Sequence, residues 1–444
     1  MQNRVHIIGA GLAGSEAAFQ LAKAGFEVHV HEMRPEKMTE AHQTANCAEL
    51  VCSNSLKSKD PVSAPGMLKA EMNQVGSLVL KAADQHSVPG GQALTVDREK
   101  FSAEITQTLR ALPNIKFYNG EITEPFADGL TLIATGPLTS TAMGEWLAKA
   151  TGEKDLYFYD AIAPIVDATS IDAERSFLAN RYGKGGEDAY INCPMEKDEY
   201  EAFIDALLAG EKVAPKNFEK EIFFQGCQPI EAIAATGRDS LRFGPMKPVG
   251  LTDPKTGKRP WAVIQLRPEN RSKTAYNLVG FQTKLKYGEQ ARIFKMIPAL
   301  KNAEFLRMGS IHRNTYVCGP KVLNKDLSLK SNPNVFLAGQ ITGVEGYLES
   351  AACGMLAAIL IQQRARGQAI QPPPPNTALG SLHRYITSSD AKHYQPQNAN
   401  FSLFETSDFE GVSALRRDGA REAMSKQAIV NFTQWFKSES QRPL

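Results

Sequence analysis

The chain opens on a short, β-branched apolar run, Arg4-Val5-His6-Ile7-Ile8, which predicts a strand. Ser15 to Ala24 carries apolar and small residues at helical spacing, and Gly25 predicts the stop. Phe26 to His31 predicts a second strand that delivers Glu32, 18 residues past Gly14. Two later apolar runs, Thr131 to Ala134 and Val335 to Ala338, each lead into a glycine, Gly136 and Gly339. Glu196 to Leu208 reads as an acidic helix, and Trp261 to Leu266 and Ala275 to Phe281 as strands. A helix is predicted from about Tyr347 to 360–364, followed by the proline run Gln371 to Pro375, a stiff linker. A last helix over Ala420 to Lys437 places Phe432, Trp435 and Phe436 on one face, as core or as a docking surface. No stretch reaches 18 consecutive apolar residues, so no transmembrane helix and no membrane partner is expected. The N-terminal run is broken by glycines and has no cleavage-like end, so it reads as a strand and not as a secretion signal.

Gly9-Ala10-Gly11-Leu12-Ala13-Gly14 fills the turn between the first strand and the first helix and fits G-x-G-x-x-G. Gly9 permits a tight turn, Gly11 lets the backbone approach a pyrophosphate, and Gly14 allows close helix packing. The free N–H groups of the helix start then face the phosphates. Glu32 is spaced to accept hydrogen bonds from a ribose. Strand, helix, second strand and acid stand in the right order, so Gly9, Ala10, Gly11, Leu12, Ala13, Gly14 and Glu32 are read as a dinucleotide site. The fingerprint alone does not choose FAD over NAD.

Two segments favour FAD by resemblance. Thr131-Leu132-Ile133-Ala134-Thr135-Gly136-Pro137 resembles the strand-end motif of glutathione-reductase-like flavoproteins. Val335-Phe336-Leu337-Ala338-Gly339-Gln340 resembles their second flavin motif, with Gln340 where an acid is usual. Gly136, Gly339 and Gln340 therefore join the cofactor set. The N-terminal motif and this late one must meet at one cofactor, so the chain leaves the domain and returns. The expected fold is α/β: a Rossmann-like FAD-binding domain of the glutathione-reductase type over 1–170 and 310–370. An α+β domain is inserted at 171–309, and a proline-rich linker and C-terminal helical tail occupy 371–444.

Composition narrows the class. With 42% hydrophobic and 22% charged residues over 444, the chain is neither disordered, collagenous nor a coiled coil. Six cysteines without a tight framework suit a reducing cytoplasm. The net charge of +2 hides an asymmetry: Arg242 to Lys330 holds 18 Lys/Arg against 5 Asp/Glu, a net +13 that leaves −11 elsewhere. Such a stretch fits a polyanionic partner, and equally a solvated mixed-charge surface. The eight histidines show no H-x-x-x-H and the cysteines no paired C-x-x-C, so no metal is expected.

Further motifs carry a closer resemblance along nearly the whole chain. They are Cys47-Ala48-Glu49-Leu50-Val51-Cys52-Ser53-Asn54-Ser55, Val96-Asp97-Arg98, Phe224-Gln225-Gly226-Cys227-Gln228-Pro229-Ile230-Glu231, Thr236-Gly237-Arg238, Leu241 to Leu251, Gln265-Leu266-Arg267 and Gly309 to Asn314. Tyr394-Gln395-Pro396-Gln397-Asn398-Ala399-Asn400-Phe401 is similar to the tail motif of the same family, with Tyr394 and Gln397 substituted. Together they resemble the bacterial folate- and FAD-dependent tRNA (uracil-5-)-methyltransferases. The larger flavoprotein that modifies the wobble uridine of tRNA is a more distant likeness, and its length argues against it.

That resemblance implies a chemistry. Uracil C5 becomes nucleophilic once a thiolate adds to C6. A one-carbon unit from 5,10-methylenetetrahydrofolate needs two electrons to become a methyl group, which FAD reduced by NADH or NADPH can supply. By resemblance Cys52 and Cys227 are the catalytic pair. Cys227 is assigned to C6 and Cys52 to proton transfer or site protection, with exchange of roles left open. His312 is the candidate to stack on the folate pterin and Tyr347 to line its pocket. Lys255, Lys258, Arg259, Arg271, Lys273, Lys284 and Lys286 are the candidates for the tRNA backbone. Arg242 and Arg267 can instead reach folate or FAD, and Trp261, Tyr276 and Phe281 read as core. Cys193, Cys318 and Cys353 are expected to be inert, and Cys47 is undecided. The alternatives are the same chemistry on a ribosomal RNA uridine, a NAD(P)H–flavin oxidoreductase of small molecules, and an RNA-binding protein that keeps FAD structurally.

Overall fold

The computed structural model describes residues 3–153, 157–184, 190–213, 228–412 and 415–440. Strand β1 (Arg4–Ile8) leads into helix α1 (Leu12–Lys23), and strand β2 (Glu27–Glu32) follows. The helix starts at Leu12, three residues before the apolar periodicity becomes visible, because the glycines of the fingerprint already form its first turn. β1 is the centre of a five-stranded parallel sheet in the order Val335–Leu337, Leu130–Ile133, β1, β2, Ile115–Asn119. β1, Leu130–Ile133 and Val335–Leu337 are mostly apolar and buried, whereas β2 carries His29 and His31 and the edge strand Ile115–Asn119 is largely exposed. The long helix Tyr347–Ala365 lies against α1. Gly354 permits this: a Cβ there would stand 2.1 Å from the Ala13 carbonyl oxygen. The fold is a Rossmann-like α/β architecture.

A second, antiparallel six-stranded sheet runs Phe177–Leu178, Ile191–Met195, Ala262–Pro268, Ala275–Leu278, Ile165–Asp167, Phe305–Arg307. It draws in Ile165–Asp167, ahead of residue 171. Helix Lys197–Ala209 packs on it through Tyr200, Phe203, Ile204 and Leu207, in a core of its own with Phe281 and Phe294. Tyr157–Ile162 and Ser310–Thr315 pair antiparallel and carry the chain into and out of this lobe.

The C-terminal part belongs to the first core. Helix Arg417–Ser440 buries Met424, Ala428, Phe432 and Trp435 there, so its aromatic face is core. The proline run is docked: Gln371 O accepts from Trp435 Nε1 at 3.1 Å, and Pro373 is buried. Among the described residues, no helix is long and apolar enough to cross a membrane.

Candidate active site

One long cleft crosses the C-terminal ends of the parallel strands. At one end lie Gly9, Gly11, Leu12, Ala13, Glu32, Arg34 and Gly136, and at the other Cys52, Ser53, Lys57, Gln282, Tyr347 and Asn398. The position is the one where open parallel sheets bind ligands.

The glycines of the first end differ in role. Gly9 has φ +100°, and a Cβ on it would meet the Ala134 oxygen at 2.6 Å. A Cβ on Gly14 would meet the Gly9 oxygen at 1.9 Å. These two are glycine because the protein's own backbone needs the space. At Gly11 a Cβ meets nothing within 4 Å, and no side chain caps α1 there. The space above the helix start is therefore kept open with its N–H donors unspent, which fits a dinucleotide pyrophosphate. Glu32 accepts from Ala10 N at 2.8 Å and from Arg34 Nε at 2.9 Å. Burial pushes its carboxyl up, but those bonds outweigh it and hold the group below the usual carboxylate range. Arg34 also reaches Glu49 Oε2 at 3.2 Å, so the second strand's acid is tied to the segment that leads to Cys52.

At the far end, Tyr347 begins the long helix and its phenol oxygen accepts the backbone N–H of Cys52 at 2.5 Å and of Ser53 at 3.1 Å. Burial pushes the phenol up, so it stays protonated. The Cys52 loop is also gripped from the other side. Arg98 Nη1 donates to Leu50 O at 2.7 Å and Nη2 to Cys52 O at 3.2 Å, while its Nε pairs with Glu269 just beyond the second sheet. Gln340, on the flavin-motif loop, donates to Glu345 Oε2 at 2.6 Å, so the amide at the acid's usual place is bonded within its own loop. Lys57 pairs with the fully buried Glu349 at 2.6 Å. The tail straps this loop. The Tyr394 hydroxyl donates to Thr342 O, and Gln397 exchanges backbone bonds with Gly343 and Glu345, which sets Asn398 on the cleft.

A family model described as glucose inhibited division protein A matches residues 4–369. Over 438 residues the chain is 53% identical to the methylenetetrahydrofolate–tRNA-(uracil-5-)-methyltransferase TrmFO of Koribacter versatilis, covering 98% of each chain. The chain belongs to this methyltransferase family. A relative of the same name from Bacillus cytotoxicus is 51% identical over 428 residues, covering 96% of this chain and 98% of its own. Among solved structures, Aquifex aeolicus GidA in its form I crystal is similar in fold at a TM-score of 0.69 and 17% identity, over 97% of this chain and 76% of that one.

The methyltransferase motifs map unevenly onto the cleft. Cys52 and Tyr347, 295 residues apart, meet in it with Gly9, Gly11, Gly136, Gly339 and Gln340, whereas Ala10 and Gly14 do not line it. Phe224 to Cys227 lie outside the described residues, while Ile230 and Glu231 of the same motif begin a short helix, Ile230–Ala235. His312 sits on the strand Ser310–Thr315 opposite Asp160, and its side chain lies outside the described set. Lys255, Lys258 and Arg259 are exposed on one loop of the second lobe, and Arg271 and Lys273 on the turn after Ala262–Pro268. Lys255 spends its ammonium on Ala173 O and Glu174 O, both at 2.8 Å, and Lys286 pairs with Glu211 at 2.8 Å. Lys284 is half-buried beside Glu231. Arg242 does not line the cleft: its guanidinium lies 3.7 Å over the ring of Trp261 in a surface hollow with Lys247 and Arg259. Arg267 is buried in the second sheet. Sequence reasoning missed Phe243, which is 82% exposed at that hollow. It also missed the clamp formed by Arg98 and Glu269. Cys193, Cys318 and Cys353 are buried, and burial pushes all three thiols up.

Proposed function

We propose that the chain forms 5-methyluridine in the T-loop of tRNA, with 5,10-methylenetetrahydrofolate as carbon donor and FAD, reduced by NADH or NADPH, as electron donor. The observation that carries this reading is the junction of Cys52, Tyr347 and the open glycine cradle in one cleft. Two electrons separate a formaldehyde-level carbon from a methyl group, and a reduced flavin is the chemistry this cleft would hold.

The chain's own residues do the rest. Gly11 and the start of α1 would hold the FAD pyrophosphate, and the ionised Glu32 would accept from its ribose. The Tyr347 hydroxyl and Arg98 fix the Cys52 loop from opposite sides, so its thiol is held against the cleft rather than free to wander. Cys227 adds to uracil C6, and Cys52 manages the proton that C5 must lose. By family likeness, His312 would stack on the folate pterin and Tyr347 would line its pocket. The target uridine leaves its stack to reach a thiol, so the RNA must be gripped on both sides of it. Lys258, Arg259 and Lys273 are exposed for phosphates, and the hollow with Phe243, Trp261 and Lys247 offers aromatic surface among cations.

The test is methyl incorporation into an unmodified tRNA transcript. Carbon-labelled methylenetetrahydrofolate and NAD(P)H are supplied, and S-adenosylmethionine is the comparison donor. Label at the T-loop uridine from folate alone is expected. No label, with the flavin still reduced by NAD(P)H, would point to a ribosomal RNA uridine first and a small-molecule oxidoreductase second.

A further inference from the structure

Three histidines that share no short motif meet on one face of the parallel sheet. His6 of β1 stands directly opposite His29 of β2, and His31 follows two residues on, on the same face. All three are buried at positions where a parallel sheet ordinarily places Val or Ile. One ring nitrogen of each lies within 4.8 Å of those of the other two, and His6 Nδ1 is 3.1 Å from His31 Nε2. Ring centroids are 5.1 Å apart for His6 and His29, nearly perpendicular, and 5.4 Å for His6 and His31. In a tetrahedral site with metal–nitrogen bonds of about 2.0–2.1 Å, ligand nitrogens stand about 3.4 Å apart, so small ring rotations close the set.

The rings already touch one another and a carboxylate through hydrogen bonds: His6 Nδ1 with His31 Nε2, and His29 Nε2 with Glu27. Carboxylates stand at the outer edges of two rings: Glu27 Oε1 lies 2.9 Å from His29 Nε2, and Asp128 Oδ1 lies 3.8 Å from His6 Nε2. Glu27 thus supplies the outer carboxylate that orients a metal-bound imidazole, while His6 Nδ1 and His31 Nε2 would exchange their mutual bond for the ion. Phe126 stacks on His6 at 4.1 Å and Tyr118 on His31 at 5.0 Å, which fixes the ring planes. His31 also lines the cleft, which gives an ion a route in.

We propose that His6, His29 and His31 form a three-imidazole site for a borderline divalent transition cation of the zinc class. Imidazole sets of this kind suit zinc, cobalt, nickel or copper and not magnesium or calcium. The ion would tie β1 to β2 one step below the cradle, where Gly9 N donates to His31 O at 2.8 Å. The site is separate from the methyl-transfer chemistry and does not depend on it.

The experiment uses the tag-free full-length protein carrying its flavin, stripped with a chelator and titrated with Zn2+ against a chromophoric competitor. Co2+ difference spectra at wavelengths beyond the flavin bands are the second readout. Expected are one equivalent bound, a raised melting temperature with Zn2+, and visible ligand-field bands with Co2+. His29→Gln and His31→Gln should each weaken Zn2+ at least tenfold. Glu27→Gln, which removes the carboxylate bonded to His29, should weaken it about tenfold. No Zn2+ uptake by the wild type, or Zn2+ affinity unchanged in Glu27→Gln and in whichever histidine variant folds, overturns the site.

Discussion

Gly11→Ala and Gly354→Ala make a matched pair, because both add one methyl beside α1 but only one of them meets protein. At Gly354 the new Cβ would stand 2.1 Å from Ala13 O and 2.7 Å from its carbonyl carbon and Cα. Ordinary contact begins at about 3.4 Å, so the two helices must part by over an ångström, and the obstacle is backbone that cannot rotate away. Over-packing of this kind costs about 1–3 kcal/mol. At Gly11, with φ −69° and nothing within 4 Å, the free chain should change by no more than about 0.5 kcal/mol. The methyl instead fills the space reserved for pyrophosphate. Gly11→Ala should therefore melt like the wild type when stripped of flavin, yet bind FAD at least about tenfold more weakly, a loss of about 1.4 kcal/mol. Gly354→Ala should melt several degrees lower with or without FAD. The assays are thermal melting of stripped and loaded protein and FAD titration by flavin fluorescence. Wild-type FAD affinity in Gly11→Ala would sink the cradle argument, and an unchanged melt in Gly354→Ala would sink the packing one.

Other expectations are quicker to test. Tyr347→Phe leaves the Cys52 and Ser53 N–H groups without their acceptor, at about 1–3 kcal/mol, so methyl transfer should fall at least tenfold while FAD stays bound; activity within twofold of wild type would refute the loop-fixing role. Burial pushes the Cys47 thiol up to about 11, so at pH 8 only about one molecule in a thousand is thiolate. Iodoacetamide mapping by mass spectrometry should then spare Cys47 at pH 8 and label it only as pH nears 11. Labelling at pH 8 with the rate of a free thiol would contradict its burial. Arg98→Gln strands Glu269 without its partner and should lower stability by about 3–5 kcal/mol, read as a clear drop in melting temperature; a melt equal to wild type would show that the clamp is not structural. Arg259→Ala with Lys273→Ala should flatten the slope of log tRNA affinity against log salt by about two, and an unchanged slope would remove both from the RNA face.

The parts of this molecule readable from sequence are those whose signal is local. The first strand, the glycine turn, the second strand and Glu32 lie within about 30 residues, so spacing alone assembles the cradle. The start of α1 was masked by the very glycines that make it useful, since they carry no apolar period. The second lobe's sheet begins at Ile165–Asp167, three residues that are too short to stand out and acquire strand geometry only by pairing with Ala275–Leu278 and Phe305–Arg307. The proline run looked like a spacer because its stiffness is intrinsic, whereas its docking depends on Trp435, far along the chain. Tyr347 was named only through family likeness, and its two bonds to the Cys52 loop join positions no pattern links. The histidine face escaped for a related reason: strand register, not spacing along the chain, sets His6 beside His29.

The parallel sheet also fixes an order of events during synthesis. β1 and β2 leave the ribosome first, but the edge strand Val335–Leu337, with Gly339 after it, emerges some 300 residues later. The strap from Tyr394 to Asn398 comes later still. Until then the glycine turn has its helix start but no opposite wall, and the segment from Cys52 has no Tyr347 to hold it. The second lobe, with a core of its own, can fold while the first waits. Cofactor loading is thus a late, near-complete-chain event, and a chain truncated before Tyr347 should purify without flavin however intact its N-terminal fingerprint.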